Sequence, residues 1–185
     1  MRRNNRRPIS SHAMATSNST LIRRYRPRLR KDRPLLRRFI TRLQKTPPRG
    51  IDATISALIP GVWKDVKCLS CANCCKTMSP TYLPADMRRI SKYLGMTVNA
   101  FKDKYLEQER GAARDWMNRS TPCQFLRLSD NKCRIYSVRP LDCSTFPHLG
   151  VRFADYGHVH HQNVEYCPAT YELMSRLKEV TETIG

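Results

Sequence analysis

The 185-residue sequence has few acidic residues, few glycines and no long apolar run. Against 34 Lys and Arg residues it has 15 Asp and Glu, which gives a formal net charge of +19. No apolar run approaches the about 20 residues that span a bilayer, and the N-terminus lacks the apolar stretch of a secretory signal. We therefore expect no transmembrane segment and a reducing, cytoplasmic compartment.

Other absences exclude classes of enzyme. The seven glycines form no phosphate-cradling loop, so the sequence gives little support to nucleotide binding. It shows no Ser/His/Asp or paired-carboxylate pattern, and no catalytic residue is predicted. The length allows one compact domain with an extension, because a typical domain has about 150 residues. Since 40% hydrophobic residues permit only a modest core, we expect something besides apolar burial to stabilise the fold.

Positive charge is concentrated at the N-terminus, where residues 1–50 hold 16 basic residues and the single acid Asp32. The Arg-, Ser- and Asn-rich stretch from Met1 to about Lys31 predicts disorder. Pro34 then opens a short basic amphipathic helix, which Pro47 closes. We predict a basic disordered arm with a short helix over residues 1–50 and a cysteine-cluster metal-binding domain over residues 51–185.

The composition of this arm is typical of three kinds of contact. It suits nucleic acid, an anionic membrane surface or partner, and an organelle transit peptide, which would place the chain in an organelle matrix. The simplest alternative is a solvated tail whose helix packs on the domain over residues 51–185. The sequence does not indicate an oligomeric state.

Eight cysteines are the candidate functional residues of the domain over residues 51–185. They begin with the run C-x2-C-x2-C-C and continue singly: Cys68, Cys71, Cys74, Cys75, Cys123, Cys133, Cys143 and Cys167. Two intervening residues let successive thiolates turn back onto one ion or cluster, so we predict that all eight are metal ligands. A disulfide framework is disfavoured, because no secretory signal is present and the adjacent Cys74 and Cys75 would form a strained bridge.

The metal is either an iron-sulfur cluster or zinc. A C-x2-C-x2-C run closed by a remote cysteine is how ferredoxins hold a 4Fe-4S cluster. Structural zinc usually takes two C-x2-C pairs, and the later cysteines offer no second one. Eight thiolates also allow two four-thiolate sites. His148, near Cys143, and His161, near Cys167, are further candidates as metal ligands or as hydrogen-bond partners of a ligating sulfur.

The cysteine blocks resemble the YkgJ-type CxxCxxCC cysteine-cluster family of zinc- or iron-chelating proteins. The resemblance covers roughly residues 51–183, and its blocks recur in order: Cys68 to Cys75, Pro122 to Leu126, Cys133 to Cys143, Phe146 to His148, His158 to Asn163 and Tyr166 to Ala169. It implies a metal or iron-sulfur domain and, as an activity, an iron-sulfur oxidoreductase.

Apolar spacing predicts several helices. They are a helix over Ile51 to Val66 broken near Pro60 with Trp63 as a core anchor, one over Pro84 to Leu94, one over Val98 to Gln108 capped by Thr97, and one over Pro168 to Ile184. The alternation of His158 and His160 indicates a strand. We therefore expect a small, mainly helical, irregular metal-stabilised domain with short loops or strands around the cysteine cluster.

Two functions follow from these observations. The first is a redox role, in which an iron-sulfur cluster exchanges electrons with a partner protein. The second is a structural zinc module that docks a partner or nucleic acid through its basic arm. Metal storage is a third alternative.

Overall fold

The computed structural model describes residues 20–110 and 114–183, and its fold is mainly helical, as predicted. The nine α-helices of these residues are α1 (Thr20–Lys45), α2 (Ile51–Asp65), α3 (Cys68–Cys71), α4 (Asn73–Thr77), α5 (Pro84–Tyr93), α6 (Val98–Tyr105), α7 (Leu141–Thr145), α8 (Phe153–Asn163) and α9 (Pro168–Thr183). Two antiparallel hairpins are formed by β1 (Leu106–Gln108) with β2 (Trp116–Asn118), and by β3 (Leu126–Arg127) with β4 (Lys132–Cys133). A single 3-10 turn, Tyr136–Val138, precedes α7.

Helix α1 is longer than the sequence predicted. The expected disorder to about Lys31 is wrong for Thr20 to Lys31, which are helical, while the part of that prediction before Thr20 lies outside the described residues. The reason is packing: Ile22, Tyr25 and Leu29 are buried at helical spacing, and the helix continues through two prolines. The division into residues 1–50 and 51–185 stays a prediction, although α1 shares a core with later helices.

That core is the larger of two apolar clusters and lies between α1, α2, α8 and α9. Polar contacts reinforce it, because the Tyr25 hydroxyl donates to Glu172 at 2.7 Å and the Tyr171 hydroxyl donates to Asp32 at 2.6 Å. Helix α2 runs through Pro60 without the predicted break, since Ile55 and Val62 on either side are fully packed. The core therefore fixes the start of α9, at Pro168, relative to the end of α2.

The smaller apolar cluster lies under α5, α6 and the two hairpins. Its buried members are Tyr82, Met87, Ile90, Phe101, Leu106, Phe125 and Ile135. Helix α6 ends at Tyr105 rather than Gln108, because Leu106 is buried and pairs with Asn118 in the first hairpin. The predicted cap is confirmed, as the Thr97 hydroxyl accepts from the Ala100 amide at 3.1 Å.

Two further predictions are wrong. His158 and His160 lie in α8, so the predicted strand is wrong, and the buried Phe153 and His160 stack on one face of that helix. Trp63 is 36% exposed and is not a core anchor. Within the described ranges, no helix is long and apolar enough to cross a membrane.

Candidate metal centre

The run from Cys68 to Cys75 folds as two short helices, α3 and α4, joined at Ala72. Ala72 adopts a left-handed conformation with φ of 48°, which ends α3 and starts α4 in a new direction. Its amide donates to the Cys68 carbonyl at 3.2 Å. The reversal turns the cysteines on either side of Ala72 toward the same region.

Four cysteines line one cavity, and we call them the inner cysteines: Cys68, Cys71, Cys74 and Cys167. The other side chains around this cavity are largely apolar and include Trp63, Val66 and Phe146. Cys71 and Cys167 are buried, whereas Cys68 is exposed at the surface. The cavity is therefore enclosed on its inner side and reaches solvent at Cys68.

Asn73 connects the C-x2-C-x2-C-C run to the segment that carries Cys167. Its buried side-chain amide donates to the Tyr166 carbonyl at 2.7 Å, across 93 positions of sequence. Tyr166 precedes Cys167, and the Asn73 backbone amide also bonds the Cys71 thiol. One residue inside the C-x2-C run therefore positions the remote cysteine beside it.

Burial keeps the inner thiols protonated. It raises the pKa of Cys71 to about 12 and that of Cys167 to about 11 from a usual value near 9. Backbone amides oppose this effect: the amides of Thr170 and Ala169 lower the pKa of Cys167. The buried Thr170 hydroxyl has no nitrogen or oxygen partner, and its hydrogen bond to the Cys167 sulfur also lowers the pKa of Cys167.

The remaining four cysteines form a second group, the hairpin cysteines: Cys75, Cys123, Cys133 and Cys143. Their backbones are tied together, because the Cys123 amide donates to the Cys75 carbonyl at 2.8 Å. Cys133 pairs across the second hairpin with Leu126, which lies three residues after Cys123 in the sequence. All four side chains are half-buried.

The buried carboxylate of Asp86 holds the segment that carries Cys143. It accepts from the Leu141 amide at 3.1 Å, from the Leu83 amide at 3.1 Å and from Arg89 at 2.7 Å. Asp86 thus joins the start of α5 to the start of α7. Asp86 and Leu141 are 55 positions apart, so no local sequence pattern predicts this link.

The electrostatics of the hairpin cysteines reflect their closeness. Burial, and after it the neighbouring Cys75, raises the pKa of Cys143. Burial also raises the pKa of Tyr82, with Cys123, Cys143 and Cys133 as the next causes. Tyr82 belongs to the smaller apolar cluster, against which Cys123 and Cys133 pack.

Cys74 and Cys75 belong to different groups but touch each other. Their sulfur atoms are 3.9 Å apart, and this hydrogen bond raises the pKa of Cys74 and lowers that of Cys75. The peptide bond between them joins the two groups directly.

Two basic side chains each lower the pKa of one inner cysteine and of one hairpin cysteine. Lys76, which is buried, lowers the pKa of Cys71 and of Cys75. Arg139 lowers the pKa of Cys68 and of Cys133. Lys67 and Arg134, which adjoin Cys68 and Cys133 in the sequence, are exposed. Positive charge thus offsets thiolate charge where the groups meet.

The two candidate histidines have different polar neighbours. His148 follows α7 and its Nε2 is 3.5 Å from Asp142, the neighbour of Cys143. His161 lies beside Arg37 and Glu165 on the side of α8 that faces α1. Ligation by either one stays a prediction.

The two groups offer the same donor set of four thiols. Among residues 20–110 and 114–183, no three Cys, His, Asp or Glu side chains are arranged to hold one ion as they stand. The inner cysteines line a small cavity of about 20 Å³, whereas the hairpin cysteines do not line it.

Comparison with known proteins agrees with this chemistry. Residues 67–169 match the model of the CxxCxxCC family, described as "putative zinc- or iron-chelating domain". The chain belongs to this family. Membership confirms the family predicted from the cysteine blocks and supports metal binding by this CxxCxxCC protein, without distinguishing iron from zinc.

Among curated proteins, the chain is similar to an uncharacterized protein of Methanocaldococcus jannaschii. It is 31% identical over 81 residues, which are 44% of this chain and 43% of the relative. The CxxCxxCC chain thus matches less than half of that protein's length. No solved structure matches it.

Proposed function

We propose that this CxxCxxCC protein is an electron-transfer protein that holds a 4Fe-4S cluster on its inner cysteines. The observation that carries the proposal is that Cys167 lines the same cavity as the three cysteines of the C-x2-C-x2-C run. Ferredoxins bind such clusters with this run and a remote cysteine followed by proline, and Pro168 follows Cys167. When bound, the cluster would accept and release one electron at a time.

The chain's own residues support this use of the cavity. Apolar side chains exclude water from its inner side, and the backbone amides at Asn73, Ala169 and Thr170 stabilise charge on the sulfurs. Cys68 and the adjacent Leu69, which is 56% exposed, bring the edge of the site to the surface. A redox partner can therefore approach without entering the core.

Anaerobic purification tests the proposal. We expect a brown protein with broad absorbance near about 400 nm that dithionite bleaches, and about four iron and four sulfide per chain. Cys167→Ser should lose most of this absorbance, while Ser70→Ala, an exposed change beside Cys71, should retain it. A colourless protein that contains zinc in place of iron would overturn the proposal.

A second candidate function rests on the exposed surface of α1. Arg23, Arg30 and Arg38 are exposed there, while the ion pairs of this helix use Arg33 and Arg37 with Glu165 and Arg42 with Glu182. A basic helix face of this kind suits the phosphates of nucleic acid or another anionic partner. In this alternative, zinc on the cysteines would be structural.

The test must spare α1, because its apolar face belongs to the core. The triple change of Arg23, Arg30 and Arg38 to Gln should weaken binding to a duplex DNA probe and reduce its salt dependence. The matched control removes three exposed charges on α5 and α6, at Arg88, Lys92 and Lys104. Equal binding by both variants would exclude α1 as the contact surface.

A further inference from the structure

Exposed apolar side chains lie where the inner cavity reaches solvent, and the proposed cluster does not account for them. Trp63 lines the cavity and is 36% exposed, while Leu69, which follows the cavity residue Cys68, is 56% exposed. Of the eight cysteines, Cys68 alone is exposed. Between residues 63 and 70, only Val66 is buried. Large apolar side chains grouped at one edge of a protein mark an interaction surface, whereas isolated ones need no explanation.

The turn of the second hairpin adds to this region. The Asn131 side-chain amide donates to the Ser70 carbonyl at 3.3 Å, across 61 positions of sequence, so it holds the turn between β3 and β4 beside α3. That turn presents Leu128, which is 64% exposed. We give the name mouth surface to the exposed apolar and lysine side chains of these two segments: Trp63, Lys64, Lys67, Leu69, Leu128 and Lys132. Protein–protein contacts mix apolar and charged side chains in this way.

The free charge of the mouth surface is positive. The two acids beside it, Asp65 and Asp130, are each paired with an arginine, at 2.5 Å and 2.6 Å. Lys64 and Lys67 are exposed, and neither forms an ion pair with any residue that the structure describes. Lys132 lies 3.9 Å from Asp130, which it shares with the arginine. A surface of this charge attracts an acidic partner and steers it into place.

The leucines of the mouth surface distinguish it from the arginine face of α1. That face offers Arg23, Arg30 and Arg38 for phosphates, and the exposed large apolar side chain of α1 is Leu35. Leucine gains little from a phosphate backbone, whereas its burial against a protein removes apolar area from water, and a tryptophan in such a contact often contributes much of the affinity. The composition of the mouth surface therefore favours a protein as its partner.

We propose that the mouth surface docks an acidic electron-carrier protein beside the exposed Cys68. This rests on the proposed function, because it names the partner of that same site. In the exchange, one electron leaves the reduced protein, and the oxidised flavin of a flavoprotein carrier takes it up with one proton from solvent. No covalent bond of this chain forms or breaks. Contacts between redox proteins bury less than about 1,200 Å², so three large apolar side chains with neighbouring lysines suit such a contact.

Electron transfer to flavodoxin, an acidic carrier with one flavin, tests the proposal. The full chain is purified without oxygen, reduced with dithionite, freed of excess reductant and mixed with oxidised flavodoxin while the flavin absorbance is followed. We expect Lys64→Glu/Lys67→Glu to slow the transfer about tenfold at low salt, because the steering charge is reversed. Each rate is divided by the rate of transfer to free riboflavin, an uncharged acceptor, which corrects for any change in the site itself.

The matched control reverses two charges outside the mouth surface. Arg88→Glu/Lys92→Glu lies on the exposed side of α5, and Lys92, like Lys64, belongs to the last turn of its helix. The control is needed because the net charge of +19 attracts an acidic protein to the whole molecule. We expect this variant to keep most of the wild-type rate.

Leu69→Ala separates the apolar contribution from the charge. At high salt the charges are screened, so Lys64→Glu/Lys67→Glu should approach the wild-type rate. Leu69→Ala should stay slower than wild type under the same conditions, because salt does not screen the loss of apolar contact. A rate for Leu69→Ala that equals wild type at every salt concentration would contradict the apolar part of the contact.

The outcomes separate this proposal from the proposed function. Protein without iron or visible absorbance would overturn the proposed function, and the carrier proposal with it. Iron-containing protein in which Lys64→Glu/Lys67→Glu and Leu69→Ala both match wild type would overturn the mouth surface alone. Equal slowing by Arg88→Glu/Lys92→Glu would show attraction by the overall charge and would also overturn it. If Lys64→Glu/Lys67→Glu lost binding to a duplex DNA probe but kept its transfer to flavodoxin, the surface would belong to nucleic acid instead.

Discussion

The two groups of cysteines differ in what surrounds them. The inner cysteines face a cavity with apolar walls that lies against the larger helical core, and a buried amide, that of Asn73, fixes their spacing. The hairpin cysteines are half-buried on two short helices, a loop and a short strand, and a buried carboxylate, that of Asp86, anchors the segment of their last member. The same ligand type therefore occurs around a cavity and on half-buried segments near the surface. This difference predicts how each region responds to mutation and to metal removal.

Metal removal should have the largest effect and should act unequally on the two regions. Structural zinc supplies apparent binding free energies of about 10 kcal/mol or more in small domains. We expect chelation to melt the hairpin half first, seen as loss of amide protection around β3 and β4, while α1, α2, α8 and α9 keep their protection. Hydrogen exchange with mass spectrometry measures this, and uniform protection after chelation would remove the structural role.

Metal affinity should rise steeply with pH. Each ligating thiol must lose its proton, and burial raises the pKa of Cys71 to about 12 and of Cys167 to about 11, so these thiols are protonated at neutral pH. Below the pKa of a ligating thiol, metal binding must release its proton. For each such thiol, the binding free energy becomes more favourable by about 1.4 kcal/mol per unit rise in pH. Competition with a chelator of known affinity at several pH values measures the slope. A flat profile would mean that the thiols are deprotonated before metal binds.

Asp86→Ala should destabilise the hairpin half by about 3 kcal/mol. The change leaves the amides of Leu83 and Leu141 without their acceptor and releases the segment before Cys143. We expect a lower midpoint of urea unfolding and less bound metal per chain, measured by urea unfolding and metal analysis. Asp103→Ala, at an exposed position of α6, is the control and should change neither.

Asn73→Ala should act on the other group, with a cost of about 2 kcal/mol. The Tyr166 carbonyl loses its donor, so Cys167 is no longer held beside Cys71. Iron content and visible absorbance should fall. Asn99→Ala on the exposed surface of α6 should leave both unchanged, and full absorbance in Asn73→Ala would show that this hydrogen bond does not hold Cys167 in place.

Ala72→Gly should have the smallest effect, a stability change of less than about 0.5 kcal/mol. Relief of the left-handed conformation at φ of 48° offsets the lost methyl group and the added backbone freedom. Ala100→Gly, in the exposed face of α6, has no such relief and should cost about 1 kcal/mol. Thermal unfolding of the metal-loaded variants distinguishes them, and equal losses would show that Ala72 is not strained.

The local parts of this fold could be predicted because their causes lie within a few residues. The C-x2-C-x2-C-C run, the proline that starts α5 and the Thr97 cap are examples. The grouping of the cysteines could not, because it depends on contacts such as Asn73 with Tyr166 that no spacing reveals. The sequence analysis also missed the first half of α1, since its arginine content concealed the spacing of Ile22, Tyr25 and Leu29.

The chain's two tryptophans divide between the two halves of the molecule. Trp63 stands at the wall of the inner cavity, and Trp116 lies in the first hairpin under Lys102. Visible-absorbing iron beside Trp63 would quench its emission by energy transfer, whereas colourless zinc would not. The protein thus contains its own optical probe: a Trp116→Phe variant would report by fluorescence alone whether the cavity is filled with iron.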